Sequence, residues 1–145
     1  NGNRLTCDTG DTLSDVWVEM NQYGDANLET DYFRNLKERL RSKNGARMVT
    51  STVPHSGVAM RLAVGDSLLA AAIHDNNPAC TKQAAWDIAA PQIVMEEAGG
   101  VFLNPDGLPS NPFESRPIIV SRSMALAQEI IELTNQLPME KTTAE

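Results

Sequence analysis

The chain reads as a layered α/β domain in which helices cover a mixed β-sheet. Three observations carry this reading. Short apolar runs of strand length alternate with segments of helical period along most of the 145 residues. One strand pair, at 101–103 and 117–120, follows without a helix between. No internal repeat or low-complexity linker divides the chain, so one layered fold accommodates the alternation. The hydrophobic fraction of 41% is enough for a core, and a chain of this size buries roughly two-thirds of the surface its unfolded form exposes. A single domain over residues 1–138 with a disordered tail at 139–145 is expected.

Each element has its own signal. Residues 1–12 are polar and turn-like. Leu13, Val16, Val18 and Met20 alternate loosely and predict a strand over 13–20, followed by a loop holding Gly24 and Asp25. From there Leu28, Tyr32, Phe33, Leu36 and Leu40 recur at helical spacing, which sets them on one face of an amphipathic helix. Asn27 is its candidate cap and Asn44-Gly45 its stop. Residues 46–52 predict a second strand, broken by Pro54. His55 or Ser56 then caps a helix carrying Val58, Ala59, Leu62 and Ala63, which Gly65-Asp66 ends. The continuous apolar run 68–73 has the pattern of a strand buried on both faces. Residues 76–83 read as loop, 87–98 as helix and 101–103 as strand. Asn104-Pro105-Asp106-Gly107 is a turn, and 117–120 is another buried strand. Ser123 or its neighbour caps a last helix with Leu126, Ile130, Leu133 and Leu137 along one face, and Pro138 ends it.

Composition excludes several functions. A net charge of −7 repels phosphate backbones, so no nucleic-acid partner is expected. The basic run from Arg34 to Arg47 is interleaved with Glu38 and apolar residues and reads as the solvated side of a helix. No apolar run approaches the ~20 residues that span a membrane, so no membrane partner is expected. Cys7 and Cys80 are isolated and lack metal-ligand spacing, which suits a reducing, cytoplasmic setting. An aromatic content of 5% argues against stacking platforms for bases. The chain opens at Asn1-Gly2-Asn3-Arg4-Leu5 with no methionine and no leader pattern, and reads as a piece cut from a longer protein.

The segment that carries chemistry is Trp86-Asp87-Ile88-Ala89-Ala90-Pro91, running on to Glu96-Glu97-Ala98-Gly99-Gly100. Asp87 has two roles open to it. As an N-cap it accepts a hydrogen bond from a first-turn N–H, worth roughly 1 kcal/mol. Pro91 would then lie at the fourth helical position, and Trp86 would pack on the sheet. As a metal ligand Asp87 offers hard carboxylate oxygens. Glu96 and Glu97, about 100° apart on a helix, do not converge. The first is read as solvated and the second as packed at the helix end. Gly99 in a left-handed conformation ends the helix, and Gly100 lets the chain turn into the next strand.

Trp86, Asp87, Ala89, Ala90, Glu97, Ala98, Gly99 and Gly100 together resemble the C-terminal signature of the inositol monophosphatase family of Mg2+-dependent phosphomonoesterases. Asn1-Gly2, the small-residue stretch from Ser56 to Gly65, the strand after it, and the closing strand and helix are similar to that family too. The resemblance thus covers nearly the whole chain, and implies the fold of that family's C-terminal half. It implies that Asp87 is a magnesium ligand, and that His55, Ser56 and Gly57 belong to the substrate pocket. The substrates implied are a sugar or inositol phosphate, histidinol phosphate or a phosphoadenosine nucleotide. The family's Asp-Pro-x-Asp-Gly-Thr metal loop has no instance here. Asn104-Pro105-Asp106-Gly107 falls after the signature and begins with Asn. The chain alone is therefore expected not to bind Mg2+ usefully and not to turn over substrate. Its expected partner is the missing N-terminal half or, on an uncovered apolar face, another copy in a homo-oligomer. The rival reading is a non-catalytic assembly or regulatory module on the same scaffold. His74 and Asp75 read as a strand-end turn near the site's mouth.

Overall fold

The computed structural model describes residues 7, 12–21, 31–44, 47–51, 55–65, 69–74, 85–114 and 116–135. Among them the elements run β1 (Trp17–Asn21), α1 (Asp31–Asn44), β2 (Arg47–Ser51), α2 (His55–Ala63), β3 (Leu69–His74), α3 (Ala85–Glu97), β4 (Val101–Leu103), β5 (Ile118–Ser121) and α4 (Met124–Asn135). The strands form one sheet in the order β2-β1-β3-β5-β4. β1, β2 and β3 are mutually parallel, and β5 is antiparallel to both β3 and β4. The expected mixed sheet covered by helices is thus present.

Side chains sort onto the two faces by strand alternation. Val18, Met20, Ile73, Leu103 and Ile119 join Phe33, Leu36 and Leu40 of α1 and Leu126, Ala127 and Ile130 of α4 in one buried cluster. Ala72, Phe102, Ile118 and Val120 join Val58 and Leu62 of α2 and Ile88 and Met95 of α3 in the other. The result is three layers, with α1 and α4 on one side and α2 and α3 on the other. β3 is buried along its whole length, as a strand sandwiched between helix layers must be. Its register slips between Trp17 and Val18 of β1, whose partners are Leu69 and Ala71. Ala70 and Ala71 consequently face the same cluster, the signature of a bulge.

The predicted first strand starts later than its apolar residues suggest. Asp15 N–H donates to the Thr12 carbonyl at 3.0 Å, and the Thr12 hydroxyl donates to Asp15 Oδ2 at 2.6 Å. That turn carries buried Leu13 into the core before β1 begins. The proposed cap Asn27, the residues 1–6, 75–84 and the tail 136–145 lie outside the described residues. Ser123 does cap α4: Leu126 N–H donates to its hydroxyl at 3.2 Å. α3 ends in a Schellman motif, with Gly100 N–H donating to Met95 O at 2.8 Å and Gly99 N–H to Glu96 O at 3.0 Å. Gly99 has a φ of +90° there.

Residues 104–107 form the expected turn: Gly107 N–H donates to Asn104 O at 2.9 Å, and Asn104 N–H to Leu108 O at 2.8 Å. Asp106 is engaged within it, by Leu108 N–H at 3.1 Å and by Arg116 Nη2 at 2.6 Å. The Arg116 guanidinium holds the Asp106 carboxyl below its ordinary 3.8. A lowered carboxyl stabilises the fold above its ordinary pKa, and the contribution vanishes as pH falls through the lowered value. The pair is exposed, so its contribution is about 0.2–1 kcal/mol. Amide exchange at Gly107 and Leu108 should accelerate as pH drops below that range, beyond the intrinsic rate change. Asp106→Asn should remove the acid dependence, and an unchanged profile in that variant would show the pair to be inert.

Candidate functional site

The parallel strands β2, β1 and β3 all end at one edge of the sheet, and the helices that follow β2 and β3 begin there. In open α/β sheets this carboxyl edge is where ligands bind. α2 and α3 pack side by side on one face of the sheet. Their first turns, with unsatisfied N–H groups, therefore open at the same edge. His55, Ser56 and Gly57 are the first residues of α2, and Asp87 lies in the first turn of α3. The two predicted groups of site residues are thus brought to one end of the molecule. Ser56 is exposed, Gly57 half-buried and Asp87 exposed.

Asp87 is not the N-cap. Ala85 and Trp86 are already helical, so Asp87 sits one half-turn inside α3, where its carboxylate meets the positive end of the helix dipole. Pro91 is correspondingly deeper than the fourth position. It has no N–H to give the Asp87 carbonyl, its i−4 partner, and its ring is buried on the inner face. Trp86 is also corrected. It does not pack on the sheet but is 76% exposed, because the earlier helix start turns it to the outer side of α3. Glu97 is exposed on that same side rather than packed at the helix end. Glu96 is exposed as expected and accepts from Gln92 Nε2 at 2.9 Å.

A set of buried polar residues lies near the same edge. Glu19 and His74 are fully buried and Asn21 nearly so. His74 is the last residue of β3 and pairs in register with Asn21, the last of β1, so it belongs to the ladder and not to a turn. Glu19 Oε2 accepts from Arg61 Nη1 of α2 at 3.3 Å, which fixes this side of β1 as the α2-facing side. Asn21, two residues on, points the same way. The sequence signal for Glu19 and Asn21 was the second alternation of β1, through Trp17, Glu19 and Asn21, opposite the apolar one.

The described residues do not by themselves assemble a magnesium centre. Among the described residues no three His, Cys, Asp or Glu side chains gather to hold a metal. Mg2+ gives up its hydration reluctantly and needs several oxygens at near-octahedral positions, so one exposed carboxylate is insufficient. Burial pushes the Cys7 thiol above the ordinary 9.0, against the opposing pull of Arg122. No described helix is long and apolar enough to cross a membrane.

The sequence profile of the inositol monophosphatase family matches residues 2–139. No curated sequence matches the chain. Among solved structures, Thermotoga maritima IMPase superposes with a TM-score of 0.69 at 20% identity, 94% of this chain on 46% of that one. The extragenic suppressor protein suhB from Bartonella henselae gives a TM-score of 0.73 at 14% identity, 94% on 48%. An IMPase/NADP phosphatase solved with Mg2+ and phosphate gives 0.68 at 19% identity, 95% on 46%. At these identities the likeness is one of fold. The chain spans about half the length of these proteins.

Proposed function

The chain belongs to the inositol monophosphatase family, and from that premise we propose that it is the C-terminal half of a Mg2+-dependent phosphomonoesterase, inactive on its own. The observation that carries this reading is Asp87: exposed, at the start of α3, and in no group of three or more His, Cys, Asp or Glu side chains among the described residues. A solvent-facing carboxylate at a helix start can serve as one ligand of a site whose other ligands come from another polypeptide segment. The first-turn N–H groups of α2, at His55, Ser56 and Gly57, suit an anionic group at the same edge. A phosphorylated small molecule is the substrate class this arrangement fits. Of the similar structures, one IMPase/NADP phosphatase is complexed with Mg2+ and phosphate and another is bound with D-inositol-1-phosphate. A reducing, cytoplasmic compartment fits free Cys7.

The test uses the chain alone. In a Mg2+ titration followed by amide shifts, residues of the first turn of α3 should respond without saturating at millimolar metal. Asp87→Asn should abolish the response. No Mg2+-dependent release of phosphate from an inositol or sugar phosphate should be measurable. Robust turnover by the purified chain would overturn the reading, because the ligands it lacks would then have to lie within it.

A further inference from the structure

The geometry points to the Asp106-Gly107 peptide as a site of spontaneous backbone isomerisation that Arg116 holds in check. It is the only Asp-Gly pair in the chain, and both residues are exposed on the 104–107 turn. Glycine leaves an aspartyl carboxyl the freest approach to the next peptide nitrogen, because no Cβ crowds it. A Cβ at Gly107 would itself meet nothing nearer than Ile131 Cδ1, at 3.8 Å, so the surroundings do not close the site. The reaction needs only water. Gly107 N bonds to Asp106 Cγ, the carboxyl OH leaves with the amide proton as water, and a cyclic succinimide forms. Water then adds to either ring carbonyl. Breaking the bond from nitrogen to Cγ restores aspartate. Breaking the bond from nitrogen to the main-chain carbonyl carbon leaves the chain running through Cγ, as isoaspartate.

Ring closure makes two demands, and the fold opposes both. The nitrogen must lose its proton, but Gly107 N–H donates to Asn104 O at 2.9 Å. The carboxyl must be neutral to release OH, but it is tied at both oxygens, Oδ1 by Leu108 N–H at 3.1 Å and Oδ2 by Arg116 Nη2 at 2.6 Å. Charge-assisted bonds of this kind favour the ionised carboxylate and fix its direction. Arg116 thus acts as a guard that reaches the turn from the start of β5. The place matters to the fold. Leu103 of β4 and Ile73 of β3 stand level through their shared partner Ile119, so the turn leaves the sheet at the same edge as the first turns of α2 and α3. Isoaspartate there adds one carbon to the main chain and moves the free carboxylate onto Cα. The spacing that joins Asn104 N–H to Leu108 O is then lost.

Incubation of the full chain in water enriched in oxygen-18 tests this. Each passage through the succinimide fixes one solvent oxygen in the residue, read by peptide mass, and electron-transfer fragmentation distinguishes the Cγ linkage of isoaspartate. The folded wild type should take up label at Asp106 about tenfold more slowly than the chain unfolded in urea, the combined effect of one hydrogen bond and one exposed ion pair. Arg116→Gln, with an unchanged far-ultraviolet spectrum, should raise the folded rate about twofold to fivefold, and Arg116→Lys should stay nearer the wild type. Salt at about 1 M, which screens exposed charges, should accelerate the folded wild type by a similar factor and leave Arg116→Gln unchanged. That arm needs no substitution, so it decides the matter even where a variant fails to fold. Asp106→Glu, whose ring would be one atom larger, should take up no label. Absence of label at Asp106 in folded Arg116→Gln would overturn the modification site. Equal uptake by the folded and unfolded wild type, or a folded rate indifferent to both Arg116→Gln and salt, would overturn the guard. The label reports this chain's own backbone, so either failure leaves the phosphatase reading standing.

Discussion

Phe102→Ala destabilises the protein by about 3–5 kcal/mol, the cost of emptying a fully buried aromatic site. Phe102 sits in the three-residue strand β4 and is buried in the cluster formed with α2, α3 and β5. Its neighbours cannot close over the void, because β4 is held by its ladder to β5. The strand is also tied to the following loop, where Ser110 N–H donates to Phe102 O at 3.0 Å. Against a total stability of about 5–15 kcal/mol the loss is severe, and urea melts should show it as a lower midpoint at similar slope. Phe113→Ala is the matched control. Phe113 is 85% exposed, so its truncation should shift stability by no more than about 0.5 kcal/mol. Equal losses in the two variants would mean that β4 is not packed as described.

The second large effect is at Gly100, where the obstacle is space. A Cβ there would meet the Ser121 carbonyl oxygen at 2.9 Å and Cys7 Sγ at 3.2 Å, and would also press on the end of the Met95 side chain. Met95 can bend away, but the Ser121 oxygen is backbone within β5. Gly100→Ala must therefore push the end of α3 off the sheet, and overpacking of this kind costs about 1–3 kcal/mol. Gly100→Val should cost more. Gly99 next to it behaves differently, since a Cβ there meets nothing within 4 Å. Its objection is the left-handed backbone, which costs a residue with a side chain roughly 1–2 kcal/mol. Asn tolerates that conformation, so Gly99→Asn should be milder than Gly99→Ala. At Gly100 the order should reverse, Asn being at least as harmful as Ala. Thermal melts of the four Ala and Asn variants decide whether the two adjacent glycines are required for these separate reasons.

The fold was legible where the apolar pattern has a definite phase. Phe33, Leu36 and Leu40 and, on the last helix, Leu126, Ile130 and Leu133 all face the core. The run at β3 is buried on both sides as its continuity implied. The short strands around the β4–β5 turn stand where the apolar triplets predicted them. The start of α3 was not legible, because a helix apolar on opposite faces gives periodicity no phase. An aspartate followed by small residues resembles a cap whether or not the helix has already begun. That single offset misdirected Trp86. Glu19 escaped notice because a charged residue in an alternating strand is ordinarily assigned to water. Here both faces of β1 are covered, and the carboxylate is buried against Arg61. Asp87 is singled out by its neighbours Trp86 and Ala89 together with the distant Gly99-Gly100, a pattern of residue types rather than of hydropathy. Residue types at the helix start single out Asp87 as a candidate ligand, but they do not reveal which acids would join it.

The placement of β5 has a consequence for synthesis. It lies between β3 and β4 in the sheet although it follows both in the chain. On the ribosome β4 emerges with no neighbour to pair with, and β3 keeps one side open until residues 118–121 leave the exit tunnel. The nascent chain must therefore wait for β5, the last of the described strands, before the sheet can close. Such late, non-local pairing slows folding and leaves strand edges open to association in the interval. Translation stalled before that strand would release a product with its barrier to misassembly missing from the middle of the sheet.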